Sequence, residues 1–550
     1  MPLSGKSLRR VQSPRSRLES TINQLQNSRR SETMAPTRMT VKNRAALCLI
    51  LIAAPFVSAR ATTLDATGVS LLRSTDPTLI GTGVKVAQPE APYYAATAWE
   101  VTPSIVGQPV SLFSYISQDG TSSAFPNALG TDSDHADAVG GYFYGTSLGV
   151  APGVAHVDNY DANYFYEPFI TLGTAIQAKI VNQSFNFGAS PPQTTLDSDY
   201  DDYAAQKNTL FVSGAGNSGP PNAPATAYNG IGVGAFGGDS SVGPTLDNSR
   251  SKPDITAPAG ATSFSTPQVA GAGAILVQAG LRGDAGTGTT NAANDIRTIK
   301  ALLLNGAVKP SNWTHTATAP LDPRFGAGIL NVFNSYKQLA AGKFAFVESS
   351  SIGLDAAHPP GNSTSNLSTL IGWDFNSISS SVMAETVNHY YFNVPAGLTV
   401  NATLVWNRQT LKTNINNLDL FLYRVATTNL IAASTSTVDN VEHLFATGLA
   451  PGRYDLQVFK KGGMGKVSNG ESYAMAFHFF TLPLQVTRSG NQAILEWPIL
   501  PSGFSLQAAP DLNPPMAWTV VTNTVVVTNN QNRVTIPMAA AAQFFRLSAP

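Results

Sequence analysis

"GATSFSTPQVAGAGAILVQAG", Gly260–Gly280, sets three hydroxyl residues, Thr262, Ser263 and Ser265, at the head of a run of small and apolar residues. The run is long enough for a helix, and its small residues let such a helix lie close against a sheet. Thr266 and Pro267 fit a first helical turn, where proline is tolerated. The hydroxyls then have two readings. Thr262 or Ser263 caps the helix, the usual role of such residues. Alternatively Ser263 is a nucleophile, placed where free N–H groups and the helix dipole favour developing negative charge.

Outward from this stretch, short β-like runs alternate with longer helix-like ones over residues 62–345. "GVKVAQ", "VAHVDNY", "AKIVNQSF", "TLFVSGAG" and "GIGVGAF" are apolar or β-branched and end in Gly, Asn or Asp. "NDIRTIKALLLNGA" is richer in Ala and Leu. Strands alternating with helices predict an α/β domain with a largely parallel sheet, whose functional groups collect beyond the carboxyl ends of the strands. The Ser-rich segment 346–385, "ESSSIGLDAAHPPGNSTSNLST" in its first part, reads as a linker. Residues 386–482 and 483–550 hold short strand-like runs between turn residues and predict two all-β, sandwich-like modules.

Charge is unevenly placed. Residues 1–61 carry 11 of the 34 Lys and Arg and 2 of the 34 Asp and Glu, which leaves a net charge of −9 on the remainder. A basic face for nucleic acid is therefore not expected. "MTVKNRAALCLILIAAPFVSARA", Met39–Ala61, combines a basic start, an apolar stretch too short to span a membrane and small residues fitting a cleavage site. It reads as an export signal, which predicts a secreted or cell-surface protein without a transmembrane anchor. Residues 1–33 precede two alternative starts, Met34 and Met39, and read as lying ahead of the true start. The only cysteine, Cys48, falls inside the signal, so neither disulfide nor cysteine chemistry is expected in the exported chain.

A serine nucleophile needs an imidazole base, an acid to orient that base and donors for the oxyanion. "GTSLG", Gly145–Gly149, fits G-x-S-x-G, but Pro152, Gly153 and a strand follow where that motif needs a helix, so Ser147 is set aside. His135 in "SDHADAVGGYFYG" is the candidate base, and Asn217 in "LFVSGAGNSGPP" is a candidate oxyanion donor on a Gly-rich loop. Taken singly, each has a plainer reading, a structural histidine and a turn asparagine.

Together these stretches resemble the subtilase family. "HADAVGG" is similar to the histidine motif HGTHVAG, "VSGAGNSG" to the oxyanion-hole motif, and "KPDITAP" with "ATSFSTPQVAG" to KPDI-APG followed by GTSMATPHVAG. "VNQSFNFG" resembles the substrate-binding strand, which implies that role for Ser184 and Gly188, and "FGAGILN" the segment that closes the catalytic domain. The order His, Asn, Ser is the family's own, and the likeness covers about 75–340. It implies a serine endopeptidase with a Ser263–His135–acid triad, needing no cofactor for its chemistry and acting on proteins or peptides as a monomer. The family's acid is an Asp; here Glu90 in "GVKVAQPEAP" stands in its place, with Asp132 and Asp134 as alternatives. Ala261, Ala138 and Gln268 also depart from the motifs.

Residues 386–482 look like the prepeptidase C-terminal β-sandwich domains of secreted proteases, and 483–550 like C-terminal β modules of exported proteins. Asp419, Asp439, Asn440 and Glu442 are candidate structural-calcium ligands, against the plainer reading of turn carboxylates facing water. Trp497 and Trp518 read as core residues, with a carbohydrate platform as the alternative. The rival to catalysis is an inactive subtilase-fold binding protein, motivated by the Asp-to-Glu change.

Overall fold

The computed structural model describes residues 62–550 apart from 311, 396, 482–483, 499–504, 511–516, 529–530, 539–542 and 549–550. The expected export signal, Cys48 and the alternative starts lie outside the described residues.

The α/β region is built on an eight-stranded sheet. In chain order its strands are β1 (Lys85–Glu90), β2 (Phe113–Ser117), β3 (Gly120–Ser122), β4 (His156–Asp161), β5 (Ile180–Gln183), β6 (Leu210–Gly214), β7 (Ile231–Phe236) and β8 (Ile255–Pro258). Across the sheet they run β8-β7-β6-β5-β1-β4-β2-β3, all neighbours parallel except the β2–β3 hairpin. The expected parallel α/β fold is therefore present. β1 has β4 on one side and β5 on the other, so the chain winds away from it in both directions. Such a switch point opens a crevice at the carboxyl ends of the strands. Glu90 is the last residue of β1.

Five helices of more than eight residues flank this sheet: α1 (Asp134–Phe143), α2 (Thr194–Lys207), α3 (Thr262–Arg282), α4 (Ile296–Gly306) and α5 (Val332–Ala341). α3 is buried along most of its length, as an all-round apolar helix must be. Gly271 is required by packing, because a Cβ there would lie 2.6 Å from Val150 Cβ. Gly283, at φ 88°, ends the helix in the left-handed region with its N–H on the Ala279 and Gly280 carbonyls.

The start of α3 differs from the expectation. The helix begins at Thr262 after an extended Ala261, so Pro267 lies in its second turn, not its first. No hydroxyl caps it either. The acceptor for the Thr262 N–H comes from another loop, as Asn217 Oδ1 at 2.9 Å, which lets the helix start earlier.

The middle region is a sandwich of two antiparallel sheets. Its strands are β9 (Glu348–Gly353), β10 (Ile371–Ser379), β11 (Ala384–Val394), β12 (Leu398–Trp406), β13 (Leu418–Arg424), β14 (Asn429–Ser434), β15 (Val441–Leu449), β16 (Gly452–Lys460) and β17 (Gly470–Phe480). They form the sheets β9-β11-β16-β13-β14 and β10-β17-β12-β15. The segment 346–385, read as a linker, supplies two of these strands. β9 pairs with β11 and β10 with β17. β9 is an edge strand of alternating exposure, where a Ser-rich sequence fits because only one face meets the core.

The sandwich packs on the α/β region through a shared core, with Trp373, Val405, Val441, Ala474 and Ala476 in the same apolar cluster as α3 and α4. Polar contacts frame it: Asn401 Nδ2 donates to the Asn305 carbonyl at 2.5 Å, and Asp439 accepts from the Ser251 N–H at 2.7 Å. The last region holds a four-stranded and a three-stranded sheet around a small core that includes Trp497, 2% exposed. Trp497 is thus unavailable as a carbohydrate platform, while Trp518 is half-buried beneath Arg546.

Candidate active site

β1 carries Glu90 to the switch point, and its carboxylate is 1% exposed. α1 opens with Ser133, whose hydroxyl accepts the Ala136 N–H, and presents His135 in the first turn. His135 Nδ1 lies 2.9 Å from Glu90 Oε2, and the imidazole side chain keeps 18% of its surface exposed. Burial pushes the His135 pKa down, but the charge and hydrogen bond of Glu90 outweigh it and leave the pKa above its ordinary value. With Nδ1–H held by the carboxylate, Nε2 is left free to accept a proton. The alternative acids do not take this place: Asp132 and Asp134 are exposed, and neither bonds to His135.

Two further residues hold Glu90. Gln88 Nε2 donates to Glu90 Oε1 and to the Ala136 carbonyl, both at 3.0 Å. Tyr144 donates its hydroxyl to Gln88 Oε1 at 2.5 Å. Gln88 was missed in the sequence, although residues two apart on a strand share a face and the pair Gln88–Glu90 was readable from that rule. Tyr144 reaches the group from the end of α1 and had no such signal.

Ser263 is half-buried in the first turn of α3. Its hydroxyl lies 3.5 Å from the Ser184 carbonyl, and no hydrogen bond joins it to His135 among the described residues. The His135 and Phe264 rings are 6.0 Å apart between centroids, so α1 and the head of α3 meet beside the imidazole. Tyr93, partly exposed, stands 5.4 Å from His135 on another side.

Asn217 follows β6 on the Gly-rich loop. Its side-chain oxygen accepts from both Thr262 N–H, at 2.9 Å, and Thr262 Oγ1, at 2.8 Å. A backbone N–H must face an acceptor, so these bonds fix which way the amide points. The amide nitrogen is left with no partner among the described residues, and Asn217 is exposed. The Ser263 N–H is likewise unpaired at the helix head, as first-turn N–H groups are. Two donors thus stand beside the serine.

Ser184, expected on the substrate-binding strand, follows β5 and donates its hydroxyl to the Ser263 carbonyl at 2.9 Å. That carbonyl is free because Pro267, four residues on, has no N–H to give it. Gly188 sits farther along the strip at φ 88° with open space about its Cα, and its carbonyl accepts from Ala223 N–H at 3.2 Å. Ser147 lies exposed in a turn, away from this arrangement.

Among the described residues, no three His, Cys, Asp or Glu side chains converge as a metal site would. Of the candidate calcium ligands, Asp439 accepts from Ser251 and Ser436, and Asn440 donates to the Tyr228 and Trp406 carbonyls. Glu442 is bonded to the Ser434 hydroxyl and the Ser436 N–H. Burial pushes Asp419 up to about 7. They are buried groups of the sandwich and its contact with the α/β region, not carboxylates facing water.

The parallel α/β fold thus brings the Glu90–His135 pair to its switch point and sets Asn217 and Ser184 beside Ser263 at the head of α3. Residues 128–328 match the model of the Subtilase family, Peptidase_S8. The match begins beyond Glu90. Among solved structures, a mutant of the protease domain of PatA is 22% identical, with 48% of this chain and 98% of that chain covered and a TM-score of 0.35. The prenylagaramide maturation protease PagA is 19% identical (50% and 99% covered, TM-score 0.36), and the PatG macrocyclase in complex with peptide 16% (52% and 99%, TM-score 0.36). No curated protein matches the chain. No helix among the described residues is long and apolar enough to cross a membrane.

Proposed function

We propose that the protein is a secreted, monomeric subtilisin-like serine endopeptidase in which Glu90 replaces the usual aspartate of the triad. Ser263 Oγ attacks the peptide carbonyl while His135 Nε2 takes its proton. His135 then returns that proton to the leaving amine, and water hydrolyses the acyl-enzyme by the same steps in reverse roles. Glu90 orients His135 and stabilises the imidazolium. The Asn217 amide and the Ser263 N–H receive the oxyanion. Ser184 and Gly188 belong to the strip along which the substrate backbone lies.

The observation that carries this reading is the buried Glu90–His135 contact of 2.9 Å. A longer acid still reaches Nδ1 from the end of β1, which removes the main motive for an inactive scaffold. The test is a fluorophosphonate probe on wild type and Ser263→Ala, with casein hydrolysis measured on wild type and Glu90→Ala. Labelling of the wild type alone is expected. Equal labelling of both proteins, or none, overturns the nucleophile. Export is tested separately, by N-terminal sequencing of the protein recovered outside the cell.

A further inference from the structure

Two exposed aromatic residues stand at the lip of the candidate active site. Tyr93 is 42% exposed and Tyr94 84%, with their ring centroids 4.1 Å apart and Tyr93 5.4 Å from the His135 ring. Phe264 approaches the same imidazole from the head of α3, at 6.0 Å. The turn that holds the pair is built locally. The Tyr93 N–H donates to the Ala98 carbonyl and the Ala95 N–H to the Tyr93 carbonyl, both at 2.9 Å. The short strand Ala98–Glu100 then pairs in parallel with Thr131–Asp132, the segment that leads into α1 and His135.

The fold does not explain Tyr94. The bond from Ala95 to Tyr93 makes it the centre of a three-residue turn at φ 64°, a conformation that costs energy for a residue with a large side chain. Its ring is too exposed to offset that cost by burial. Large exposed rings beside a reactive centre suit contact with a substrate. The surrounding charge says which kind. Between Lys85 and Lys179 the chain holds nine Asp and Glu and no Lys or Arg. This stretch supplies Glu90, the tyrosine turn, α1 and β4. Glu90, Glu100, Asp137 and Asp158 are buried. Asp132 and Asp134, on either side of Ser133 just ahead of His135, are exposed. A hydrogen bond with Tyr94, burial and the nearby charge of Asp134 push the Tyr93 phenol above its ordinary pKa, so it stays neutral and keeps an electron-rich face.

We propose that Tyr93 and Tyr94, together with Asp132 and Asp134, form a subsite for a cationic side chain of the substrate, arginine above all, next to the scissile bond on the His135 side. A guanidinium is planar and weakly hydrated, so it lies flat on a tyrosine face and keeps its edge for a carboxylate. An apolar or proline side chain uses the rings alone and gains nothing from the acidic surroundings. An acidic side chain is repelled by Asp132 and Asp134. That the bound chain is a substrate rests on the peptidase reading; the preference for a cation over its neutral isostere does not.

Two measurements on the full chain test the subsite. In the first, titration calorimetry on Ser263→Ala, which prevents turnover, compares acetyl-Ala-Ala-Arg-Ala-Ala-amide with its citrulline and Phe counterparts. The Arg peptide is expected to bind about tenfold more tightly than the citrulline peptide, the size of an exposed cation–π contact joined to an exposed ion pair. Tyr94→Asn removes the ring, and Asn is tolerated at positive φ, so the variant keeps the fold. Tyr94→Asn and Asp134→Asn, each added to Ser263→Ala, are expected to cut the Arg-to-citrulline ratio about threefold. In the second, mass spectrometry maps the bonds cut in denatured casein. Lys or Arg is expected to be enriched at one position beside the bonds cut by the wild type and not beside those cut by Tyr94→Asn. Equal binding of the Arg and citrulline peptides, a ratio indifferent to both variants, or tighter binding of the Phe peptide overturns the subsite. So does an enrichment that is absent from the wild type or unchanged in Tyr94→Asn. If the wild type cuts nothing and takes no fluorophosphonate, the peptidase reading fails, and the calorimetric ratio alone decides the subsite.

Discussion

Ser184 donates its hydroxyl to the main-chain carbonyl of Ser263 at 2.9 Å, and Pro267 is the reason that carbonyl is available. A proline inside a helix leaves the carbonyl four residues back without its N–H. In most helices that gap bends the helix or meets water. Here it falls on the candidate nucleophile, and a side chain from the end of β5 fills it. The defect ties the head of α3 to the neighbouring strand.

Ser184→Ala removes this donor, and stability is expected to fall by about 1–3 kcal/mol, the cost of an unsatisfied buried acceptor. Pro267→Ala restores the helical N–H to the same carbonyl. The two substitutions should therefore couple, with Ser184→Ala costing less in the Pro267→Ala background than alone. Denaturant unfolding of the four proteins closes the cycle. Strict additivity would show that the hydroxyl is not what satisfies the Ser263 carbonyl.

Glu90→Gln keeps the side chain's shape and removes its charge. An amide at that place can donate to Nδ1 and turn the imidazole to the wrong tautomer, so kcat is expected to fall by roughly 10⁴. The pH behaviour has a definite sign. Glu90 raises the His135 pKa above 6.5 against the effect of burial. The base must be neutral to act, so wild-type activity falls as pH drops through that raised pKa, and the acid limb of the variant's residual activity moves to lower pH. Stability runs the other way. The contribution of the pair is fully present below about 6.5 and is lost as pH rises through the folded pKa. Unfolding of wild type and Glu90→Gln across that window should show their difference shrinking as pH rises.

The parallel sheet and the positions of the motifs were legible because strands buried on both faces announce themselves as short apolar runs. What joins them was less so. The role of Pro267 follows from counting four residues back, but only once the helix start is known, and that start depends on Asn217 from a different loop. Gln88 was readable from strand periodicity, while Tyr144 depends on where α1 ends. The strands β9 and β10 hid in a Ser-rich stretch because an edge strand needs few apolar residues. The buried carboxylates of the sandwich read as surface groups, since nothing in their local sequence reveals a domain contact.

Asn217 has one side-chain atom committed and one unpaired. Its oxygen holds Thr262 at 2.9 Å, and its nitrogen, without a partner among the described residues, is the donor to the oxyanion in the proposed mechanism. Asn217→Asp keeps the first function and removes the second. The carboxylate sits at the start of α3, where a negative charge is favourable, so the variant should be no less stable than wild type. Its kcat is expected to fall by roughly 10²–10³ or more with little change in KM. A variant of unchanged kcat would remove Asn217 from the oxyanion site.

In the proposed mechanism Gln88 and Tyr144 act through Glu90, to which they are linked by hydrogen bonds. Tyr144→Phe deletes the outer link and leaves Gln88 Nε2 in place, so a loss of kcat within about tenfold is expected. Gln88→Leu leaves Glu90 Oε1 and the Ala136 carbonyl without this donor, and both stability and kcat should fall further. A purely structural role would lower stability and leave the acid limb of the pH–rate profile in place. A positioning role moves that limb, because the carboxylate that sets the His135 pKa is no longer held. Gln88→Glu, which can keep the Tyr144 contact but sets a second acid beside Glu90, should shift the limb in the opposite sense from Glu90→Gln.

Arg408, just past β12, joins the sandwich to the α/β region. Its side chain reaches α2, with Nε 3.0 Å from Asp201 and Nη2 2.6 Å from both Asp202 and the Ser198 carbonyl. Asp201 is buried, and burial raises its pKa against the opposing charge of Arg408. Arg408→Met leaves that buried carboxylate with the Asn229 N–H and the charge of Arg250 but without its ion-pair partner, and the loss of such a partner typically costs about 3–5 kcal/mol. The acid then gains stability by accepting a proton, so the deficit at neutral pH should narrow as the pH is lowered, the reverse of the His135 case. Asp201→Asn in the same chain removes the stranded charge and should recover part of the loss. Urea unfolding at two pH values reads both effects. If Arg408→Met proves neutral at pH 7, the Arg408 contacts do not brace α2, and the sandwich is held to the α/β region by the shared apolar core instead.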